Sequence, residues 1–306
     1  MTLTELRYIV AVARERHFGR AAEACFVSQP TLSVSVKKLE EELDVKIFER
    51  GASDITVTPL GDEIVRQAQA VLEQANAIKE IAKRGKDPVS GPLRLGVIHT
   101  IGPYLLPDLV RQAIDRVPQM PLMLQEHFTT RLLEMLRTGE LDCAIMAEPF
   151  PDTGLAVAPL YDEPFMAAVP NQHALAKRRS ISAEELKAET MLLLGTGHCF
   201  RDHVLEVCPE YARFSSHAEG IRKSFEGSSL ETIKYMVASG MGVTVVPQLS
   251  VPSDPQPHVK YIPFTKPVPT RRVVLVWRRT FTRYEAIAAL RNAVYACALP
   301  GVTRLS

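Results

Sequence analysis

The chain opens on apolar positions spaced as one face of a helix. Leu3, Leu6, Val10 and Ala13 step by three, four and three residues. A second, shorter helix follows in FGRAAEAC, with Phe18, Ala21, Ala22 and Cys25 turned inward and small alanines that admit a close crossing. Ser28 reads as an N-cap, and Pro30 falls in the first turn, where a missing N–H does no harm. The third helix runs to about Leu43, burying Leu32, Val36, Leu39 and Leu43 and turning Gln29, Pro30, Ser33 and Lys37 the other way. KIFER and ITVTP then flank the turn residues GASD, which predicts a hairpin. From Thr58 as cap and Pro59 as first residue, 59–86 is one unbroken helical pattern. Its Ile64, Ala68, Val71, Ala75, Ile78 and Ala82 form a heptad seam about three repeats long. Such a seam calls for a second helix, and a helix joining two domains has little surface of its own chain to cover, so a homodimer is expected. Gly85, Pro88, Gly91 and Pro92 break the pattern as a linker.

Beyond the linker, short apolar runs alternate with helical ones. Strands are expected at 93–98, 121–126, 142–147, 164–169, 191–194, 243–246 and 273–277, and helices at 103–116, 129–138, 182–189, 228–240 and 280–298. The alternation means an α/β fold with mostly parallel sheets, in one sheet or two lobes. Ligands in such folds sit at the carboxyl ends of strands, against helix N-termini. Three turns fit that place: HTIGP with Thr100, HFTTR with Thr129, and EGSSLE with Ser228 and Ser229. Each is also an ordinary helix cap.

Helix, helix, polar-faced helix and hairpin is the layout of a winged helix-turn-helix. Ser28, Gln29, Pro30, Thr31, Ser33 and Lys37 would enter the major groove of double-stranded DNA, and Lys37, Lys38 and Arg50 would meet phosphates. A small helical module that binds protein is the plainer reading. Residues 1–60 favour it by charge, with eight Lys or Arg against nine Asp or Glu. The whole chain has 306 residues, enough for two or three domains, with 46% apolar and 23% charged residues and a net charge of +1. No global field draws it onto nucleic acid or membrane. No apolar run approaches the ~18 residues of a spanning helix, and no signal-peptide pattern opens the chain, so a cytoplasmic protein is expected.

Five scattered cysteines, at 25, 143, 199, 208 and 297, are not a secreted disulfide framework. Two of them lie in GTGHCFRDHVLEVCP, with His198 and His203 alongside. The bland reading makes each a small buried apolar residue, and for Cys25, Cys143 and Cys297 it is the one adopted. A metal site is a second reading, but C-x3-H-x4-C matches no standard zinc spacing, and four ligands on one short helix could not converge. No P-loop, G-x-G-x-x-G or H-E-x-x-H is present, so no cofactor, metal or enzyme activity is expected.

The run RHFGRAAEACFVSQPTLSVSVKKLEEELDVKIFERGASDITVTPLG resembles the N-terminal signature of LysR-type transcriptional regulators. That resemblance implies a winged helix-turn-helix over 1–58, a dimerising linker helix over 59–88 and a two-lobed, periplasmic-binding-protein-like α/β regulatory domain over 89–306. Its first lobe would span about 90–161 and 269–306, its second about 162–268, and the assembly would be a homotetramer. Within the family, GTGHCFRDHVLEVC is similar to the redox centre of the hydrogen-peroxide-sensing members. On that likeness Cys199 is the peroxidatic cysteine and Cys208 the resolving one, and His198 lies beside the thiol. Thr100 and Thr129 would hold peroxide, and Arg271 or Arg272 would support the thiolate. The implied partners are promoter DNA, RNA polymerase, hydrogen peroxide as the signal, and a glutaredoxin or thioredoxin system that re-reduces the disulfide.

The residues themselves supply the chemistry. A thiolate attacks peroxide far better than a thiol, and Cys199 at the start of a helix from Phe200 to Val207 should have a lowered pKa. His198 and Arg201 add donors or charge nearby. The product is a sulfenic acid, with which a second thiol condenses. Nine residues of α-helix rise about 13.5 Å and turn about 900°, whereas a disulfide needs Cα atoms roughly 4.4–6.8 Å apart. Oxidation must therefore melt the helix and remodel the segment, which makes it a switch. Two rivals stand beside this: a LysR-type regulator that binds a small metabolite between its lobes, its cysteines incidental, and a thiol peroxidase, which leaves the DNA-binding module unexplained.

Overall fold

The structure is a computed structural model, and it describes residues 1–50, 55–83, 89–151, 154–213, 224–227 and 229–305. Helices α1 (Leu3–Glu15), α2 (Phe18–Ala24) and α3 (Gln29–Leu43) pack around Leu6, Ile9, Ala21, Leu32, Val36 and Leu39. A capping box between Thr2 and Glu5 starts α1, and Ser28 caps α3 by accepting from the Thr31 N–H. Two expected core residues, Leu3 and Leu43, lie exposed at helix ends, beyond the reach of the neighbouring helices. Strands β1 (Phe48–Arg50) and β2 (Ile55–Val57) pair antiparallel, Phe48 opposite Val57. The GASD turn of that hairpin lies outside the described residues. The buried Glu40 carboxylate accepts from the Ile47 and Phe48 N–H groups at 2.8 and 3.1 Å, tying the hairpin to α3.

Helix α4 (Pro59–Lys83) starts at Thr58, whose hydroxyl accepts from the Gly61 N–H at 2.9 Å. Its seam divides. Ile64, Val65 and Leu72 pack on the N-terminal core with Ala68 buried, while Val71 and Ile78 stay exposed. The expected end of this helix, 84–86, falls outside the described residues, as does the side chain of Ala82. Midway along α4, Glu73 accepts from the Thr280 hydroxyl at 2.6 Å and pairs with the buried Arg278, so the long helix is fastened to the C-terminal unit.

That unit runs β3 (Leu93–Ile98), α5 (Gly102–Arg116), β4 (Leu122–His127), α6 (Thr129–Arg137), β5 (Cys143–Ala147) and β6 (Ala156–Pro170). It continues α7 (Ala183–Leu186), β7 (Met191–Leu194), α8 (Cys199–Val207), β8 (Ser224–Gly227), α9 (Leu230–Ala238), β9 (Thr244–Pro247) and β10 (Val259–Pro263), and closes with β11 (Thr270–Trp277), α10 (Tyr284–Ala296) and β12 (Thr303–Arg304). The sheet order is β10-β6-β11-β5-β3-β4, with β9 and β12 also on β6 and a separate β7-β8 pair. The expectation of mostly parallel sheets does not hold. β3 is parallel to β4 and β5, and β7 to β8. β6, β9, β10, β11, β12 and the β5–β11 pair are antiparallel. The cause is β6, whose 15 residues pass from one core to the other, with β11 returning beside it. Leu160 and Tyr161 belong to a core formed by β3, β5, β11, α5, α6 and α10. Phe165, Ala167 and Val169 belong to a second core under β7, α8, α9 and β9. Among the described residues no helix is long and apolar enough to cross a membrane.

Candidate functional site

Helix α8 is placed by what precedes it. The fully buried strand β7 leads into a turn in which Gly197 has φ +99, a left-handed conformation that costs glycine little. A Cβ there would only touch the Phe128 ring at ordinary van der Waals distance, so the backbone conformation is what favours glycine. His198 is the N-cap residue and Cys199 the first of the helix. Phe200, Val204 and Cys208 then step by four into the second core. Arg201 donates to the Leu194 carbonyl at 2.9 Å, and His203 Nε2 lies 2.7 Å from the Glu148 carbonyl across the divide between cores. Cys199 itself packs against the first core. The two thiols are free, and they sit at opposite ends of α8 in two different cores, Cys208 fully buried.

Around Cys199 the structure gathers residues from both cores. Ile98, Thr100, Phe128, Thr129, Gly197 and His198 enclose with it a cavity of about 10 Å³, on the order of one water-sized molecule. The Thr100 hydroxyl and carbonyl accept from Arg271 Nη1 and Nη2 at 2.8 and 2.9 Å. Arg271 is buried, paired with the buried Glu163 at 2.8 Å, its guanidinium 5.2 Å from the centre of the Phe200 ring. Glu163 in turn accepts from the Leu249 N–H at 2.8 Å. Arg272 is exposed and pairs with Asp162, so of the two arginines it is Arg271 that is buried and bound to Thr100 of the pocket wall. The His198 ring meets Phe128 edge-on at 4.8 Å and lies 5.8 Å from His99.

Neither threonine fills the bland role of helix cap. Ile101 precedes α5 and Phe128 precedes α6, both without a side-chain cap bond. The Thr129 hydroxyl is buried, has no protein partner of ordinary hydrogen-bond geometry, and acts on the Cys199 thiol to favour the thiolate. Ser229 does cap α9, and Ser228 lies outside the described residues. The expected lowering of the Cys199 pKa is not found. Burial pushes the thiol up, with Arg271 and then Thr129 opposing it. The helix start contributes less than the loss of water. Burial, with Glu210 nearby, pushes Cys208 up to about 12. Among the described residues no group of three or more His, Cys, Asp or Glu side chains could hold a metal ion.

In the N-terminal unit Ser28, Gln29, Pro30, Thr31 and Lys37 are exposed on one side of α3, and Ser33 is half-buried. Ser28 and Thr31 share a hydroxyl hydrogen bond of 2.8 Å, and Lys37 pairs with Glu41 at 3.5 Å. The exposed Val34 lies on the same side, and the apolar periodicity did not single it out. The Arg50 side chain falls outside the described residues. Glu163 and the His203–Glu148 contact were also missed. An acid that follows Asp162 inside an otherwise apolar strand was the available signal for the first.

Residues 3–62 match the bacterial regulatory helix-turn-helix proteins of the lysR family, and residues 86–296 match the LysR substrate binding domain. The chain belongs to the LysR family. Among LysR-family proteins, a hydrogen peroxide-inducible genes activator of Pectobacterium carotovorum is 40% identical over 292 residues, covering 94% of this chain and 95% of the relative. The DNA-binding transcriptional dual regulator OxyR of Escherichia coli is 39% identical over 293 residues, 94% of each chain. A full-length Pseudomonas aeruginosa OxyR with aspartate for a cysteine superposes with a TM-score of 0.80 at 50% identity, over 97% of this chain and 96% of that one. A cysteine-to-serine variant of Corynebacterium glutamicum OxyR, bound to hydrogen peroxide, gives 0.63 at 31% identity over 96% and 92%.

Proposed function

We propose that this LysR-family protein is a hydrogen-peroxide-sensing, DNA-binding transcriptional activator whose signal is a Cys199–Cys208 disulfide. The observation that carries the reading is the placement of the cysteines. One thiol opens on a pocket of water-like size lined by two threonines, one of them bound by a buried guanidinium, while the other is sealed in a different core at the far end of the same helix. Hydrogen peroxide enters the pocket with its oxygens between Thr100 and Thr129. The Cys199 thiol yields its proton, and the sulfur takes one oxygen. The O–O bond breaks, the departing hydroxide leaves as water, and a sulfenic acid remains. The Cys208 thiol then attacks that sulfur, forming the S–S bond and releasing a second water. Arg271 and Thr129 favour the negative sulfur, and the buried Thr129 hydroxyl faces the pocket beside it.

The rival in which a metabolite sits between the lobes is disfavoured by the same pocket, which is far smaller than the ~300 Å³ or more of ordinary ligand sites. Close by, Tyr104 of α5 donates to Glu231 of α9 at 2.6 Å and Lys234 lies 5.6 Å over its ring, tying the two cores together. Residues 1–58 read operator DNA through Ser28, Gln29, Pro30, Thr31, Ser33, Lys37 and Arg50. Residues 59–88 pair two copies through the exposed Val71 and Ile78 of α4, and the regulatory lobes, about 90–161 with 269–306 and about 162–268, complete a tetramer. Remodelled α8 segments reset the spacing of the DNA-reading heads, which engage RNA polymerase. The protein works in the cytoplasm, is not a turnover enzyme, and is reset by glutaredoxin or thioredoxin. Brief treatment of the reduced protein with one equivalent of peroxide, followed by peptide mapping, tests this. Loss of Cys199 and Cys208 thiols together, in one linked peptide pair, is expected. A free Cys208 beside an oxidised Cys199 would defeat it.

A further inference from the structure

The remaining histidine of the motif, His203, has no part in the chemistry above, yet it makes the bond that carries α8 across the divide between the two cores. Its Nε2 lies 2.7 Å from the Glu148 carbonyl, at the end of β5 in the first core. That carbonyl's residue is itself fixed, since the Glu148 N–H donates to the Arg272 carbonyl at 2.9 Å. His203 stands four residues after Cys199, on the same side of the helix, and is 4% exposed. We propose that His203 is the positioning residue that holds α8, and so Cys199, against the core carrying Thr100 and Thr129, and that the disulfide forms with release of this contact and proton uptake by the freed ring.

The protonation state follows from the contact. A carbonyl only accepts, so Nε2 carries the proton. Nδ1 is buried and has no hydrogen-bond partner. A second proton there would put an N–H in a place with nothing to receive it. The ring packs beside both Phe165 and Phe200, with centroids 6.0 and 6.3 Å away. Asp202 and Glu206 on α8 favour a charged ring, Arg271 of β11 opposes it, and Glu184 of α7 and Lys266 line the adjoining groove. Burial dominates and holds the ring below its ordinary pKa. Bridging Cys199 to Cys208 requires α8 to unwind, and His203 sits in its middle. Once in water, the ring regains a pKa of about 6.5. The latched form therefore binds the proton more weakly than the released form, and acidification through that value favours the disulfide. Between pH 7.5 and 5.5 the gain in the oxidation equilibrium is at most roughly tenfold.

The inference rests on the proposed function, and glutathione is the probe that separates the two. Against the glutathione couple the thiol protons cancel, so a pH dependence reports other groups. The full-length protein and its H203Q variant, whose amide N–H can still donate to Glu148 but cannot titrate, are equilibrated at both pH values. The expected result is a rise in the wild-type constant on acidification, of up to about tenfold, and none in H203Q. Equal ratios in the two proteins would overturn the latch while leaving the disulfide standing; absence of any Cys199–Cys208 disulfide would overturn both. A second reading uses H203L, whose side chain packs with Phe165 and Phe200 but donates nothing. Oxidation of Cys199 should slow by about tenfold or more in H203L and recover in H203Q. Wild-type speed in H203L would show that the ring positions nothing.

Discussion

The Arg271–Glu163 pair offers a perturbation in which stability and reactivity should separate. Both side chains are essentially fully buried, with the guanidinium 2.8 to 2.9 Å from the carboxylate and bound to both oxygens of Thr100. Substituting R271M removes the cation and leaves Glu163 enclosed in the apolar interior with only the Leu249 N–H for compensation. Stranding one partner of a buried pair costs about 3–5 kcal/mol, a large part of the ~5–15 kcal/mol that holds a domain together. Replacing Glu163 as well, in R271M/E163Q, removes the stranded charge, and most of the loss should return. Peroxide reactivity should not return. Arg271 is the largest influence opposing the burial that raises the Cys199 pKa, and neither substitution restores a cation there. Urea unfolding of the reduced proteins gives the stabilities, and stopped-flow loss of the Cys199 thiol gives the rates. A double variant as unstable as R271M, or one that reacts with peroxide like the wild type, would refute the assignment.

Three further outcomes follow from the same geometry. Substituting T129V should slow Cys199 oxidation by about tenfold or more while leaving the unfolding midpoint nearly unchanged, because the buried hydroxyl it removes makes no hydrogen bond of ordinary geometry; a large fall in stability with an unchanged rate would contradict this. Burial raises the thiols of Cys208 and Cys297 to about 12, and that of Cys143 as well. Folded pKa values above the unfolded ~8.5 mean stability that is complete below that pH and lost as pH climbs toward 12, at up to ~1.4 kcal/mol per pH unit per thiol; calorimetry should show the melting temperature falling above pH 8.5, less steeply in C208S. Removing the exposed Lys37 with K37A should weaken operator and random DNA alike and reduce the salt slope of binding by about one, whereas Q29A should relax sequence preference; titrations at several salt concentrations tell the two apart.

Much of this architecture was legible because each unit has a period. The steps in α3, the cap at Ser28 and the turn between β1 and β2 announce the N-terminal unit without tertiary information. The exposed Leu3 and Leu43 show the limit of that method, since periodicity gives a side and not how far the neighbouring helices reach. The sheet direction was misread because the apolar runs in β6 and β11 look alike whichever way their neighbours run. Proline-punctuated strands such as β10 carry little signal of their own. At the site, the pairing of the two cysteines was implied by the family resemblance and not by their spacing, while Thr100 and Thr129 stood out by their place after strands. Arg271 and Arg272 could not be told apart, because in a strand adjacent residues face opposite ways and only the position of Glu163 decides which is inside. The Cys199 pKa went the other way because burial depends on the packing of two cores, which no local motif records.

The central claim is that the reduced α8 and the Cys199–Cys208 bond cannot coexist. Amide hydrogen exchange across Phe200–Cys208, measured on the reduced protein and on the same sample after the disulfide has been mapped, tests it most directly. Protection of these amides should be strong before oxidation and collapse afterwards, with β7 retaining its own. A mapped disulfide with α8 still fully protected would contradict the account.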